Sequence, residues 1–198
     1  MGVRRDLIGS SKLNEIHLGR RKLAMAAEQS KTLEGLQLAI QTEIDGKEYY
    51  QKVGQSSDNQ LGRQLFQSLA AEEDTHRQKF EEIYEAISGQ KAWPKTDFQP
   101  DGGKGLRTIF VRVSEAMGSN VEAPPTELEA IKMAIDMEVK SYELYKSRSQ
   151  TAAYDAERDF YETVAAEEWE HHLILLDYQE YLSDPAGWFV TKEHPSLD

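Results

Sequence analysis

The chain has 198 residues and no cysteine, and its 35 acidic residues outnumber its 23 basic ones, which gives a formal charge of −12. This length suits one domain with a substantial core. The lack of cysteine excludes disulfides, thiolate-held zinc and iron–sulfur clusters, and the acidic balance argues against a nucleic-acid partner. No apolar run is long enough to span a membrane, so we expect no membrane partner and a cytoplasmic location.

The first predicted segment is a basic N-terminal arm, residues 1–30. Residues 1–31 carry seven Lys and Arg side chains against three acidic ones, which leaves a charge of −16 on the rest of the chain. A polar segment of this kind at a chain end is typical of a solvated arm.

Four later segments repeat apolar residues at steps of three and four, which is the spacing of one face of an α-helix. The pattern predicts helices near 31–54, 58–88, 126–150 and 153–183. Ser57 and Thr126, each followed three residues later by Gln or Glu, are predicted to cap the second and third of these helices. The breaks between the paired segments are short, so each pair is predicted to form an antiparallel helical hairpin.

A connector of 37 residues, 89–125, joins the two hairpins. Its length and its glycines and prolines favour a crossover along a bundle, with room for a short helix over 106–117. The tail, residues 184–198, carries Trp188 and Phe189, which we expect to dock on the bundle. The predicted fold is therefore all-α, with a four-helix bundle over 31–183.

The two hairpins are copies of one unit. A shift of 95 residues aligns windows 31–50 and 61–80 with 126–145 and 156–175, with 13 identities in 40 positions and no gap. Chance would give about two or three identities. The chain therefore uses one two-helix unit twice.

Charged and imidazole side chains occupy positions of the apolar stripes. They are Glu43, Glu73, His76, Glu138, Glu168 and His171. Buried carboxylates without partners destabilise a fold strongly, and Lys47 is the only basic residue near the stripe. Two divalent ions would neutralise four carboxylates, and the Glu-x-x-His spacing places both side chains on one helix face. The set predicts a dinuclear metal site in the bundle core.

Other polar residues of the repeat are not expected to bind metal. Glu72 and Glu167 directly precede two of the candidate ligands and are rotated by about 100° on the helix, so we expect them on the surface or behind the ligands. Glu48 and Glu143 turn away from the inner face and are expected to be exposed. His172 is expected to be solvated.

These motifs resemble the ferritin-like di-iron superfamily and, within it, the rubrerythrin family. The resemblance covers about residues 31–183 and is carried by Ala-Ala-Glu-Glu-Asp-Thr-His at 70–76 and Ala-Ala-Glu-Glu-Trp-Glu-His at 165–171. It implies a ferritin-like bundle in which Glu73 and Glu168 bridge two irons. Glu43 and Glu138 would be terminal ligands, and His76 and His171 would each bind one iron. The resemblance also places Tyr50 and Tyr145 behind the ligands, and the catalytic candidates are Glu73, Glu168, Tyr50 and Tyr145.

The sequence departs from the family pattern in two ways. Rubrerythrins proper carry a rubredoxin domain with four cysteines, and this chain has no cysteine, so we expect an external electron donor. The family also has a further glutamate three residues after the ligand of the third bundle helix. Ser141 stands there, with Gly46 as its repeat mate. The chain therefore lacks the carboxylate that supports the redox-linked iron shift of the family, and this departure counts against peroxidase activity.

The resemblance implies an oxidoreductase that reduces hydrogen peroxide, or reacts with O₂, using a donor such as rubredoxin or a flavoprotein. It also implies a homodimer. Three alternatives remain open: a ferroxidase that handles iron, another dinuclear carboxylate protein such as a di-manganese enzyme, and a non-catalytic interaction module stabilised by metal. Two iron ions are the expected cofactors, and manganese or zinc is compatible with the same ligand types.

Overall fold

The computed structural model describes the backbone of residues 7–89, 93–95 and 98–193, and their side chains apart from 7–16, 22, 24, 25, 192 and 193. This part of the chain forms helices and no strands, which confirms the predicted all-α fold. In chain order the helices are α1 (Leu7–Ser56), α2 (Gln60–Ser88), α3 (Lys104–Met117), α4 (Pro125–Thr151), α5 (Asp155–Ser183) and α6 (Pro185–Glu193).

Two helical hairpins, α1–α2 and α4–α5, make up the bundle, and three of its four helices have the predicted bounds to within two residues. The predicted caps are wrong. Asn59, not Ser57, caps α2, because its side chain accepts the amides of Leu61 and Gly62. Helix α4 begins at Pro125, whose fixed φ suits the first helical position, and this leaves Thr126 inside the helix rather than at its cap.

Helix α1 is much longer than predicted, because it begins at Leu7 and not near residue 31. Residues 7–30 contain no proline and consist largely of good helix formers, so nothing in the sequence ends the helix there. At 1.5 Å per residue its 50 residues span about 75 Å, whereas the 29 residues of α2 span about 44 Å. The basic arm is thus a helical extension of α1 as far as the structure describes it, with Leu18 and Leu23 exposed; residues 1–6 lie outside the described part.

The connector contains the short helix that the sequence predicts. Helix α3 buries Leu106, Phe110 and Val113 against the bundle. At the end of the chain, Trp188 of α6 packs on Phe110 and Tyr181, with ring centroids 5.3 and 5.5 Å apart. Residues 90–92, 96–97 and 194–198 of the connector and the tail lie outside the described residues.

The apolar core is divided into two clusters. One contains Tyr50 and Phe66 and extends to α3 and α6, and the other contains Phe80 and Tyr145. The buried glutamates and histidines of the repeat lie on the same inner helix faces, and along each helix they lie between the residues of the two apolar clusters. The fold therefore places a polar layer in the middle of the bundle.

None of the helices in the described part of the chain combines the length and the low charge that a membrane span requires.

A buried hydrogen-bond network near the start of α4 depends on Gly62. Glu127 accepts hydrogen bonds from the hydroxyls of Ser57 and Tyr178, both at 2.8 Å. A Cβ on Gly62 would overlap the carboxylate of Glu127 and crowd the Tyr178 hydroxyl. We therefore expect Gly62→Ala to destabilise the protein by about 1–3 kcal/mol, measured by urea unfolding.

Gly19→Ala is the control for this substitution, because among the described residues no atom beyond its chain neighbours and its own helix backbone lies within 4 Å of the position that its Cβ would take. This variant should lose no stability, since Ala is the better helix former. Equal stability of the Gly62→Ala variant and the wild type would show that the network tolerates the methyl group.

Candidate metal centre

Each of the four bundle helices contributes to one buried cluster, which we call the carboxylate cluster. Its members are at most 4 % exposed. Helix α1 supplies one glutamate, α4 supplies one, and α2 and α5 each supply a Glu-x-x-His pair. The members are Glu43, Glu73, His76, Glu138, Glu168 and His171. The structure thus brings together all six residues that the repeat singles out.

The cluster consists of two overlapping groups of four residues. In one, Glu43, Glu73, His76 and Glu168 offer ligand atoms that all lie within 4.8 Å of one another. In the other, Glu138 and His171 replace Glu43 and His76 under the same limit. Because Glu73 and Glu168 belong to both groups, they stand where carboxylates that bridge two ions would stand.

Both imidazole rings turn Nδ1 towards the carboxylates. His76 Nδ1 lies 3.2 Å from Glu168 Oε1 and 3.5 Å from Glu43 Oε2. His171 Nδ1 lies 3.4 Å from Glu73 Oε1 and 3.6 Å from Glu138 Oε2. The two rings are nearly parallel, with centroids 5.8 Å apart. Because His76 belongs to one four-residue group and His171 to the other, each histidine lies at one end of the cluster.

Five polar atoms of the cluster form no hydrogen bond with any residue that the structure describes, because the short contacts between them lack hydrogen-bond geometry. They are Glu43 Oε2, Glu73 Oε1, His76 Nδ1, Glu168 Oε1 and His171 Nδ1. Buried polar atoms are rarely left unpaired without a reason such as a bound ion. Lys47, the one basic residue near this stripe, pairs instead with Asp74 at 2.8 Å. The oxygen and nitrogen donors therefore fit two metal ions, whose charge would balance the four carboxylates.

The two buried tyrosines cross-link the repeat halves behind the cluster. The Tyr50 hydroxyl on α1 donates to Glu138 Oε1 on α4, and the Tyr145 hydroxyl on α4 donates to Glu43 Oε1 on α1. Burial raises the pKa of both hydroxyls well above the ordinary value, and the neighbouring carboxylates add to this rise. Each tyrosine therefore keeps its proton and orients one glutamate.

Crowding of charge divides the four carboxylates into two types. Burial and the charges of neighbouring glutamates raise the pKa of Glu73 and of Glu168 well above the ordinary value. Burial would also raise the pKa of Glu43 and of Glu138, but their histidine, tyrosine and carboxyl partners lower it below the ordinary value. Without metal, Glu73 and Glu168, which both groups share, therefore tend to hold protons. Glu43 and Glu138, which belong to one group each and which we call the outer glutamates, are ionised.

The residues around the cluster largely follow the sequence analysis. Glu48 and Glu143 are exposed, as predicted. His172 is half-buried rather than solvated, because its ring stacks on Trp169 with centroids 4.8 Å apart. Glu72 lies behind the cluster, where its Oε2 is 2.9 Å from His171 Nε2. The repeat pattern gives no signal for this contact, since Glu167 occupies the same position in the second hairpin.

A cavity of about 230 Å³ reaches the cluster between α1 and α4. Gly46 and Ser141 line it at equivalent positions of the repeat, and Tyr50, Glu73 and Glu138 form its inner end. A Cβ at Gly46 would lie 3.2 Å from Glu73 Oε2, so the glycine leaves room for that carboxylate. Ser141, where the family resemblance leads us to expect a further glutamate, thus opens into a cavity beside Glu73.

The comparisons with known proteins agree with this geometry. A family model described as Rubrerythrin matches residues 34–179, a span that includes all six members of the carboxylate cluster. Searches of curated proteins and of solved structures found no match to the chain.

Proposed function

The chain belongs to the Rubrerythrin family, and on that premise we propose that its carboxylate cluster binds two iron ions and reduces hydrogen peroxide to water with electrons from an external donor. The observation that carries this proposal is the overlap of two four-residue groups through Glu73 and Glu168. Shared carboxylates hold two ions close enough to act on one small substrate.

The types of ligand atom in the cluster support iron without excluding other metals. Imidazole suits iron, and the carboxylates supply the negative charge that a pair of divalent ions requires. Manganese and zinc accept the same donors, so the choice of iron rests on the family. When bound, a pair of Fe(II) ions supplies the two electrons that cleave the O–O bond of peroxide, and two protons complete the two water molecules.

The chain's own residues would bind the two ions and orient the side chains that hold them. Glu43 and His76 hold one end of the centre and Glu138 and His171 the other, while the hydroxyls of Tyr50 and Tyr145 fix the outer glutamates. These hydroxyls also keep protons beside the site, because burial raises their pKa. Catalytic roles for both tyrosines and for the shared glutamates are part of the proposal.

The cavity at Gly46 and Ser141 supports a small oxidant as substrate. Its volume of about 230 Å³ accommodates peroxide or O₂ next to Glu73. The 198 residues contain no cysteine, so rubredoxin or a flavoprotein would have to deliver the electrons. A homodimer, which rests on the family alone, and a cytoplasmic location are also part of the proposal.

The test is rapid mixing of the anaerobic, Fe(II)-loaded protein with hydrogen peroxide or with O₂, followed by absorbance. We expect peroxide to oxidise about two irons per chain faster than O₂ does, and turnover to continue when a reductant is supplied. Faster oxidation by O₂, with uptake of many more irons than two per chain, would instead indicate iron storage.

A further inference from the structure

The two halves of the repeat carry the same candidate ligands, each Glu-x-x-His pair preceded by a further glutamate, but hold their histidines differently. Glu72 and Glu167 occupy equivalent positions, each directly before a shared glutamate. Glu72 Oε2 lies 2.9 Å from His171 Nε2. Among the residues that the structure describes, the ion-pair contacts of His76 all involve Nδ1, and Glu167 is not among its partners.

The connector accounts for this difference. Glu167 Oε1 accepts a hydrogen bond from the backbone N–H of Gly102, at 3.2 Å. Gly102 and Gly103 have φ values of +67° and +70°, which glycine adopts without strain, so the turn that presents this amide depends on them. No hydrogen bond of this kind reaches Glu72 from the part of the connector that the structure describes. Glu72 is therefore left for the histidine of the opposite hairpin.

Among the described residues, no carboxylate contacts the outer nitrogen of His76, Nε2, although its Nδ1 faces Glu168 and Glu43. Its ring meets Phe98 edge to face, with centroids 5.5 Å apart, and it borders a cavity of about 180 Å³ that Glu72 and Glu167 also line. A carboxylate bound to the outer nitrogen of a ligating histidine fixes the ring and its tautomer. Within the described part of the chain, His171 has that support from Glu72, and His76 has none.

We propose that Glu72 is a positioning residue that fixes His171 with Nδ1 towards the metals, so that the ion held by Glu138 and His171 binds more tightly than the ion held by Glu43 and His76. This inference rests on the proposed metal site and adds an order to its filling. The first ion enters the His171 end of the cluster, and the second enters the His76 end.

The test is a calorimetric and spectroscopic titration of the metal-free protein with Co(II), which reports each binding step without any turnover. We expect two resolved steps in the wild type. Glu72→Ala should weaken the tighter step about 10- to 100-fold. Glu72→Gln keeps an acceptor oxygen for the ring N–H and should restore part of that loss.

Glu167→Ala is the matched control, since it removes a carboxylate at the equivalent position whose hydrogen bond goes to the Gly102 amide and not to a histidine nitrogen. It should change the tighter step by less than about threefold. Two equal steps in the wild type, an unchanged tighter step in Glu72→Ala, or an equal loss in Glu167→Ala would each overturn the inference. Failure of the wild type to bind two Co(II) ions would instead overturn the proposed metal site.

Discussion

Glu73→Gln and Glu168→Gln are each expected to reduce the metal content of the loaded protein from about two ions per chain to fewer than one. Each glutamate belongs to both four-residue groups of the carboxylate cluster, so one substitution removes a ligand from both ions. Elemental analysis after loading and desalting measures the effect. Glu48→Gln and Glu143→Gln alter exposed glutamates of the same repeat and should leave two ions bound.

Without metal, Glu73→Gln and Glu168→Gln should instead increase the stability of the protein. Burial and neighbouring charges raise the pKa of Glu73 and Glu168, so an ionised carboxylate at either position destabilises the metal-free fold. An uncharged amide relieves this, and we expect the metal-free variants to be more stable than the metal-free wild type at pH 8 by about 1 kcal/mol or more. Loss of both metal binding and metal-free stability would point to general misfolding.

The second large effect is a pH dependence that metal reverses. Metal-free protein should lose stability as pH rises from about 5 to 9, because four buried groups have raised pKa values in the folded state. Burial and like charge raise those of Glu73 and Glu168. Burial would lower the pKa of His76 and His171, but the carboxylates of Glu43 and Glu138 raise it.

The direction in which stability changes with pH follows from the protons that the folded and unfolded chains bind. A group with a raised folded pKa stabilises the fold fully below its unfolded value, near 4.3 for Glu and 6.5 for His, and that contribution is lost as pH rises through the folded value. Glu43 and Glu138 have lowered pKa values, so their contribution is present above about pH 4.3 and is lost only in acid. Within the neutral range the raised groups therefore decide the trend.

Bound metal should reverse the trend, because the ligands must be deprotonated to bind. Thermal melting of metal-free and iron-loaded protein across this range measures the difference. The gap in melting temperature should widen towards high pH. Parallel profiles for the two forms would contradict a buried site made of these six residues.

The sequence predicts the centre well because the repeat supplies independent copies of one signal. A glutamate such as Glu43 is unremarkable on a helix, but its match with Glu138, together with the two Glu-x-x-His pairs, selects six residues out of 198. Helix periodicity then places them on inner faces, and the structure brings all six together. The place of the two tyrosines behind the ligands is what the family resemblance implies, and their spacing of seven residues from Glu43 and Glu138 is consistent with it.

The features that the sequence does not predict depend on contacts between the hairpins or on the lack of a stop signal. The apolar stripe of α1 begins near residue 31, yet the helix begins at Leu7, because amphipathicity reports burial and not helix length. The angular position of Glu72 predicts that it is not a ligand, and its contact with His171 depends on how α2 and α5 meet. Likewise, Glu167 accepts a hydrogen bond from the Gly102 amide, which belongs to the connector and not to the repeat.

The most direct test of the central claim is anomalous X-ray scattering at the iron edge from crystals of the iron-loaded protein. Two peaks about 3.5–4 Å apart are predicted inside the bundle, with Glu73 and Glu168 contacting both. One peak should also contact Glu43 and His76, and the other Glu138 and His171. A single peak, or two peaks that share neither Glu73 nor Glu168, would contradict the account.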